Sequence, residues 1–428
     1  MKERLRNIGI ALGMGLITLV LAELTIRWVL FGQGKAFSNL RRPELYARNY
    51  PDTTGAIFSE EYWKLYTLLG GAERPPATPH PLLGWVGHFD RTTYAPMYAP
   101  PANGRRPVLL FGDSFAQCVE ATCFEDILNA DSAFAREHYL VNYGVGGYGL
   151  DQIDLLYRQV VDRYEHPFIV FSMMTRDMER AMFSARIGEK PFFTLRGDSL
   201  ALQNVPIDPD ARAWFADHGP GIPSYLGRLV AHVVLKDSLA SEAATVRFKE
   251  GMRRLNEALM RDAIDDMNDR HIDHLVLVFE PMYRSSYDPR YFFLRDLLEE
   301  MDEPYLFTGD LVRADGLLGG DYSRYEQTAN GHPTEYQNRL ISRAIERYVL
   351  HPESRDSLRR ANAKMHALRL KEADPTSVEH FELAIRRDEA WWRSVLEKAR
   401  DQGVSADSML HRDAVYMHLE AMKQWSAP

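Results

Sequence analysis

Short apolar runs alternate with longer amphipathic stretches through the middle of the chain. The runs cover residues 108–111, 139–142, 168–171 and 275–279, and a weaker one covers residues 305–307. Apolar runs of this length without polar alternation are typical of strands that are buried on both faces of a sheet. The pattern therefore predicts the strands of a parallel sheet.

Helical periodicity fills the intervals between these runs. One helical pattern follows the first run through Leu128, and others cover residues 151–164, 246–267 and 339–350. Strands that alternate with helices indicate an α/β fold in which helices cover both faces of a parallel sheet.

The amino-terminal segment has the pattern of a membrane helix. Basic residues precede an apolar run over residues 8–22, and Glu23 and Arg27 follow it on one helical face, where they are able to pair. We interpret residues 1–35 as a single-pass anchor in the cytoplasmic membrane, with a cleaved signal peptide as the alternative. The rest of the chain is then expected on the periplasmic side.

Further regions flank or interrupt the predicted sheet. Residues 36–106 are rich in proline and aromatic residues, which indicates an irregular segment wrapped around a core formed by residues 107–350. Residues 192–237 also carry several prolines, and we interpret them as an irregular insertion over the carboxyl ends of the strands. Residues 351–428 are charged and helical in pattern, so we expect a helical appendage with a helix stop at Gly403.

Composition narrows the function classes. The 428 residues are 45% hydrophobic and 26% charged, which is typical of folded protein and excludes a disordered or low-complexity chain. The formal net charge of -9 argues against a nucleic-acid-binding protein, because such proteins rely on an excess of basic residues. With only 2 cysteines, the chain has neither a disulfide scaffold nor a zinc site of four thiolates.

Candidate chemistry lies at the ends of the predicted strands. Ser114, in Gly-Asp-Ser, follows the first run, where its hydroxyl is expected at the carboxyl edge of the sheet beside the start of a helix. The glycine-rich stretch 142–149 follows the second run and allows backbone N–H groups to face a reacting oxygen. His332 precedes the helical pattern at 339–350, where a base is able to meet Ser114.

These residues also have other interpretations. Ser114 is suited to cap the helix that follows it, and His332 is one of 14 histidines, most of which are expected to be structural. Gly144, Gly146 and Gly149 match Gly-x-Gly-x-x-Gly, the dinucleotide-binding fingerprint, but no acidic residue clearly ends the next strand. We therefore favour a nucleophile, an oxyanion loop and a base.

In this order the segments resemble the SGNH or GDSL hydrolase superfamily, whose members have a flavodoxin-like sheet and cleave or transfer acyl groups. The resemblance covers residues 107–350 and implies that Ser114 is the nucleophile, with its own N–H as an oxyanion donor. It further implies that Gly147 is the oxyanion glycine of the second motif and that His332 is the base. Asp113 of the first motif is then a supporting residue.

Two positions depart from the family pattern. Arg176 stands where the family usually has an oxyanion asparagine, and it is an oxyanion candidate or a salt-bridge partner of the supporting residue Asp177. Asn330 stands two residues before the histidine, where an aspartate is usual, and its side-chain oxygen is able to accept the histidine N–H. Asp321 and Glu326 are alternative carboxylates for that task.

The resemblance implies an exported, membrane-anchored serine esterase or acyl hydrolase that acts on acyl esters of cell-envelope glycans or lipids. The alternatives are an O-acetyltransferase of a surface polysaccharide and a catalytically silent envelope scaffold. No metal and no organic cofactor is implied. The expected partners are the membrane, through the amino-terminal helix, the acyl-ester substrate and a membrane protein; nucleic acid is not expected.

Cys118 and Cys123 follow the candidate nucleophile closely. In an oxidising compartment they are able to close a small loop, which requires a distortion because residues five apart diverge on an uninterrupted helix. The alternative is that both are small hydrophobic residues of the first helix.

The anchor hypothesis predicts that the full-length chain stays with the membrane fraction through alkaline extraction and is released only by detergent. The apolar run of residues 8–22 is the physical reason. A full-length chain in the detergent-free extract would contradict the anchor, and a shortened chain there would indicate signal cleavage.

Overall fold

The computed structural model describes the greater part of the chain. The described ranges are 2–32, 37–48, 59–69, 78–208, 210–234, 242–280, 288–316, 322–327, 329–375 and 377–425. The described strands are β1 (Pro79–His80), β2 (Gly84–Trp85), β3 (Arg106–Gly112), β4 (His138–Gly144), β5 (Phe168–Met174), β6 (Phe192–Arg196), β7 (Ser199–Gln203), β8 (His274–Phe279) and β9 (Tyr305–Phe307).

Helices occupy most of the remaining described chain. They are α1 (Lys2–Phe31), α2 (Glu60–Leu68), α3 (Phe124–Ala130), α4 (Phe134–Glu137), α5 (Leu150–Val160), α6 (Asp177–Arg180), α7 (Ala211–Asp217), α8 (Tyr225–Leu229), α9 (Glu242–Asp269), α10 (Pro289–Glu300), α11 (Thr308–Ala314), α12 (Glu335–Leu350), α13 (Arg355–Ala373), α14 (Val378–Arg387), α15 (Glu389–Gln402) and α16 (Ala406–Trp425).

The central sheet has the predicted parallel architecture. Its strands lie in the order β4-β3-β5-β8-β9, and every neighbouring pair is parallel. Counted along the chain this is the flavodoxin-like order, in which the direction of strand addition reverses between β3 and β5. We call the region outside the carboxyl ends of β3 and β5 the crevice, because ligands bind at this point in open α/β sheets.

Helices cover both faces of this sheet. Alternate residues of β3 belong to different cores: Leu109 and Phe111 pack with α5, α9 and α10, whereas Val108 and Leu110 pack with α3 and α12. All four side chains are fully buried. This alternation in strands without polar positions confirms the α/β class and the three-layer arrangement.

The amino-terminal helix α1 is long and apolar enough to cross a membrane, and an export signal of this position would pass the same test. Its last turns are docked on the rest of the chain. Glu23 pairs with Arg27 at 2.7 Å and accepts hydrogen bonds from Ser224 Oγ, Tyr225 N and Leu226 N at 2.9–3.0 Å. The Glu23 carboxylate thus satisfies free N–H groups at the start of α8 and fixes α1 to it.

The segment over residues 192–237, which we predicted to be irregular, contains regular elements. The strands β6 and β7 form an antiparallel hairpin, and Phe193 and Leu202 pack against the core on the α5 and α9 face. The hairpin therefore covers the side helices α5 and α9 and not the carboxyl ends of the strands. The predicted position of the rest of the segment stays a prediction. The alternating apolar residues around Gly197 and Asp198 carried this hairpin signal.

The helix α13 is packed into the core through a buried cation. Arg369 is 1% exposed, donates to both oxygens of Glu280 at 2.6 and 2.7 Å, and donates to Asp310 at 2.6 Å. Its guanidinium also lies 3.7 Å from the ring centre of Tyr291. Burial and these two carboxylates compete, and the carboxylates raise the pKa of Arg369, so this guanidinium stays charged.

The remaining carboxyl-terminal helices form a cluster of their own. Val395 and Ala399 of α15 are buried against Met409 and Ala414 of α16. Gly403 ends α15 with a φ of 63°, a left-handed conformation that glycine adopts without a side-chain clash. The helix stop predicted at Gly403 is confirmed.

We predict that Arg369→Met lowers the free energy of unfolding by about 3–5 kcal/mol, because it leaves two buried carboxylates without their cation. Arg360→Met is the matched control, since Arg360 is exposed on the same helix and its loss is expected to change stability by less than about 0.5 kcal/mol. Chemical denaturation of both variants measures the difference. Equal stability would show that α13 is not held by this cluster.

Candidate active site

Ser114 lies in the crevice at the carboxyl end of β3. It follows Gly112 and Asp113 in a turn that Asp113 stabilises by accepting the backbone N–H of Phe115 at 2.8 Å. The expectation of a helix directly after this strand is wrong, because α3 begins only at Phe124. The Ser114 hydroxyl is therefore presented by a side-chain-stabilised turn, and no helix N-terminus adjoins it in sequence.

His332 reaches Ser114 from the loop before α12. Its Nε2 lies 3.0 Å from Ser114 Oγ, which is hydrogen-bond distance. The imidazole also lies against the Phe115 ring, with ring centres 5.0 Å apart. The structure thus brings together the two residues that the sequence analysis named as nucleophile and base.

The other ring nitrogen of His332 has a different environment from the one expected. Its Nδ1 is buried and has no hydrogen-bond partner among the described residues. Asn330 does not orient the ring with its side-chain oxygen, because that oxygen accepts the backbone N–H of His332 at 3.0 Å. The prediction that Asn330 takes the place of the acid at Nδ1 is therefore wrong, and Asn330 acts on the backbone of His332.

Of the alternative carboxylates, Asp321 lies outside the described residues. Glu326 is half-buried and forms an isolated bridge through its backbone with Pro333, which helps to shape the loop that carries His332. Burial lowers the pKa of His332, while the Asp113 carboxylate opposes this shift and the Arg180 guanidinium adds to it. The imidazole of the free protein is accordingly neutral at pH 7 and able to accept a proton.

The glycine-rich loop after β4 borders the same crevice. Gly146 donates its N–H to Gln117 Oε1 at 2.8 Å, and an added Cβ at Gly146 would lie 3.8 Å from Ser114 Cβ. Gly147 has a φ of 89°, and a Cβ there would come within 2.8 Å of Ile187 and 2.9 Å of Arg186. A residue with a side chain would be strained at this φ, so glycine favours this backbone conformation directly after Gly146, which adjoins Ser114.

A buried ion cluster joins the serine turn, the glycine loop and the end of β5. Arg180 Nη1 donates to Asp113 Oδ2 at 2.8 Å, to the backbone oxygen of Tyr148 at 3.1 Å, and to Asp177 Oδ1. Asp177 also accepts the backbone N–H of Met174 at 2.7 Å. Burial and the neighbouring Asp113 charge raise the pKa of Asp177, and Arg180 opposes that rise. One guanidinium thus ties the serine turn, the glycine loop and the end of β5.

Arg176 precedes α6 and belongs to a second charged group. Burial lowers the pKa of Arg176 to about 10; the Arg290 charge adds to this effect, and Glu179 and Asp288 oppose it. Arg290 itself bonds Glu179 at 2.5 Å and Asp288 at 2.9 Å. The charges that act on Arg176 therefore lie on α6 and at the start of α10, and we assign Arg176 no chemical step.

Cys118 and Cys123 form a disulfide, with their Cα atoms 5.2 Å apart. The distortion that such a bridge requires is present: Cys118 and Glu120 have positive φ values of 56° and 61°, and α3 starts only after Cys123. The disulfide therefore closes a loop directly behind the Ser114 turn. We call residues 118–123 the disulfide loop.

Sequence reasoning missed three polar residues at this site. Arg180 lies three positions after Asp177, a helical ion-pair spacing that predicts one of its two carboxylate partners but not Asp113. Gln117 holds the glycine loop and Glu120 contacts Asn330, and neither carries a sequence signal. Within the described ranges, no three His, Cys, Asp or Glu side chains are grouped so that they could hold a metal ion.

Comparisons with known proteins add little. No family model and no curated protein matches the chain. Among solved structures, an acetylxylan esterase from Geobacillus stearothermophilus is 14% identical, with 58% of this chain and 95% of that chain covered and a TM-score of 0.32. A catalytic mutant of the same enzyme gives the same values of 14% identity and a TM-score of 0.32. Because such TM-scores do not decide topology or activity, the assignments below rest on this chain alone.

The environment of His332 predicts how the reactivity of Ser114 depends on pH. Below its pKa the imidazole is protonated and unable to take the serine proton, so labelling of Ser114 by a fluorophosphonate should fall as pH falls through that pKa. Because burial lowers the pKa, we expect the half-maximal rate at a pH below 6.5. Unfolding midpoints over the same range serve as the control, and a half-maximal rate above 6.5 would contradict the prediction.

Proposed function

We propose that this chain is a membrane-anchored serine esterase or acyl hydrolase. The observation that carries the proposal is the hydrogen-bond distance of 3.0 Å between His332 Nε2 and Ser114 Oγ, at the point where the strand order of the sheet reverses. A serine hydroxyl is a weak nucleophile unless a base removes its proton. A half-buried serine with a neutral histidine beside it in such a crevice fits that requirement.

The reaction proceeds in two balanced halves. Ser114 Oγ attacks the acyl carbonyl carbon while its proton passes to His332 Nε2; the imidazolium then returns that proton to the departing alcohol oxygen, and an acyl-serine remains. Water next gives a proton to His332 and attacks the acyl-serine. The acid leaves, and Ser114 recovers its proton from His332.

The oxyanion of each tetrahedral intermediate needs hydrogen-bond donors. We assign the backbone N–H groups of Ser114 and Gly147 to this role, since Gly147 directly follows Gly146, which adjoins Ser114, and the N–H of Gly146 is already given to Gln117. Donors of this kind contribute roughly 10²–10³ in rate each when they are fixed in advance. The Arg180 cluster holds these donors in place, because it is hydrogen-bonded to both the serine turn and the glycine loop.

The helix α1 favours a substrate that is located at the membrane surface. Its apolar residues are exposed, and its end is held to α8 through Glu23, so an inserted α1 would hold the folded domain at the membrane surface. The basic residues ahead of the apolar run favour a periplasmic location for the catalytic domain. Acyl esters of cell-envelope glycans or lipids are the substrates available there.

Acyl transfer to a surface polysaccharide is the second candidate, because a sugar hydroxyl is able to attack an acyl-serine in place of water. A labelled acetyl ester supplied with oligosaccharide acceptors separates the two reactions. Acetylated oligosaccharide in excess of free acetate would favour transfer. A silent scaffold is the remaining alternative, and it requires no acyl-serine at all.

We expect Ser114→Ala to abolish hydrolysis of a small acetyl ester while the protein stays folded, because the variant removes the nucleophile and changes little of the packing. Ser132→Ala is the matched control, since Ser132 is exposed between α3 and α4 and should leave the turnover unchanged. Initial rates and unfolding midpoints of both variants are the measurements. Full activity in Ser114→Ala would exclude the proposed mechanism.

A further inference from the structure

The disulfide loop is bonded along its length to the segment that carries His332. Gln327 Nε2 donates to Val119 O at 2.9 Å, and Asn330 Nδ2 donates to Glu120 Oε2 at 3.1 Å. At the start of α12, Asn338 Nδ2 donates to Thr122 O at 2.9 Å. Two segments more than 200 positions apart are thus joined residue by residue.

The same loop is attached to the nucleophile. Cys118 donates its backbone N–H to Phe115 O at 3.3 Å, one residue after Ser114. The disulfide then returns the chain to Cys123, which precedes α3. The disulfide loop therefore continues covalently from the serine turn and is hydrogen-bonded to the histidine segment, and Glu120 lies between its two cysteines.

Glu120 connects to His332 through one amide. Its Oε2 accepts the Asn330 side-chain N–H, and the Asn330 side-chain oxygen accepts the backbone N–H of His332. The carboxylate, together with Gln327 Oε1, which accepts from the same Asn330 Nδ2 at 3.1 Å, fixes which way the Asn330 amide points. The amide in turn fixes the backbone that carries the imidazole. Glu120 is held for this contact in a left-handed conformation with a φ of 61°, which is unfavourable for a residue with a side chain.

Charge gives the arrangement a second consequence. The charged groups that act on the His332 imidazole come from three elements: Asp113 of the serine turn, Arg180 of α6 and Glu120 of the disulfide loop. Asp113 is bonded to Arg180, so their charges largely offset one another. The negative charge of Glu120 favours the imidazolium, which otherwise has no partner at its buried Nδ1 among the described residues.

We propose that Glu120 is the positioning carboxylate of this site, acting on His332 through Asn330 in place of an acid at Nδ1. The inference rests on the proposed serine mechanism, in which His332 becomes positively charged when it takes the Ser114 proton. The carboxylate holds the imidazole toward Ser114 and stabilises that positive charge. The disulfide restrains the backbone that carries Glu120, and the hydrogen bond with Asn330 holds the side chain itself.

The pH profile of kcat/KM for a small acetyl ester in Glu120→Gln tests this role. Glutamine keeps an oxygen for the Asn330 N–H and removes only the charge, so the variant should fold normally. Without the charge the imidazolium is less stable, and the acidic limb should move to lower pH by about 0.2–0.7 units, as expected for a solvent-exposed charge. The plateau of kcat should fall by about twofold to tenfold while KM changes little.

Two further variants and a salt series complete the experiment. Glu120→Asp should keep the limb of the parent protein, and Asp126→Asn, which removes an exposed carboxylate from the first turn of α3, should leave both limb and plateau unchanged. Added salt should move the limb of the parent toward that of Glu120→Gln, because salt screens exposed charges.

An unmoved limb in Glu120→Gln would overturn the inference, whether or not kcat falls, since a purely structural loss lowers the rate without moving the limb. An equal shift in Asp126→Asn would also overturn it, because the effect would then be one of net charge. Loss of activity in Ser114→Ala together with either result would leave the proposed function standing and remove only the role of Glu120.

Discussion

The site depends on the bonds that Arg180 makes with Asp113, Asp177 and the backbone of Tyr148. These partners come from the ends of β3 and β5 and from the loop after β4, so one buried cation holds three segments at the switch point of the sheet. Removing one buried partner of this kind leaves the others as uncompensated charges, which lowers the stability of the fold because the interior has a low dielectric constant. The turn of Ser114 and the glycine loop are therefore held in a fixed relative position. A reaction that needs aligned hydrogen-bond donors requires such an arrangement.

The histidine side of the crevice is built differently. His332 lies on a loop, and what holds it toward Ser114 is a set of bonds to the disulfide loop from Gln327 and Asn330. The sheet thus positions Ser114, and the disulfide loop positions His332. A second buried arginine joins separate elements near the carboxyl-terminal end of the core. Arg369 of α13 is bonded to Glu280 after β8 and to Asp310 in α11.

Much of this fold is predictable from the sequence. Unbroken apolar runs, such as the one that contains Leu109 and Phe111, form strands that are buried on both faces of a parallel sheet. The pairing of Ser114 with His332 follows from motif order and strand ends. The helix expected after β3 was not found, since periodicity does not register the left-handed turns at Cys118 and Glu120 that delay α3. The role expected of Asn330 depended on which partner its side chain meets across the fold, and adjacent sequence carries no information about Glu120. The oxyanion role expected of Arg176 stays a prediction.

The central claim is that Ser114 carries the acyl group between the two halves of the reaction, and trapping that species tests it most directly. The protein is mixed with an activated acetyl ester, quenched in acid within the first turnover, digested and examined by mass spectrometry. The account predicts one acetyl group, located on Ser114, which is absent from His332→Ala under the same conditions. Turnover without any acetylated Ser114, or an acetyl group confined to another residue, would contradict it.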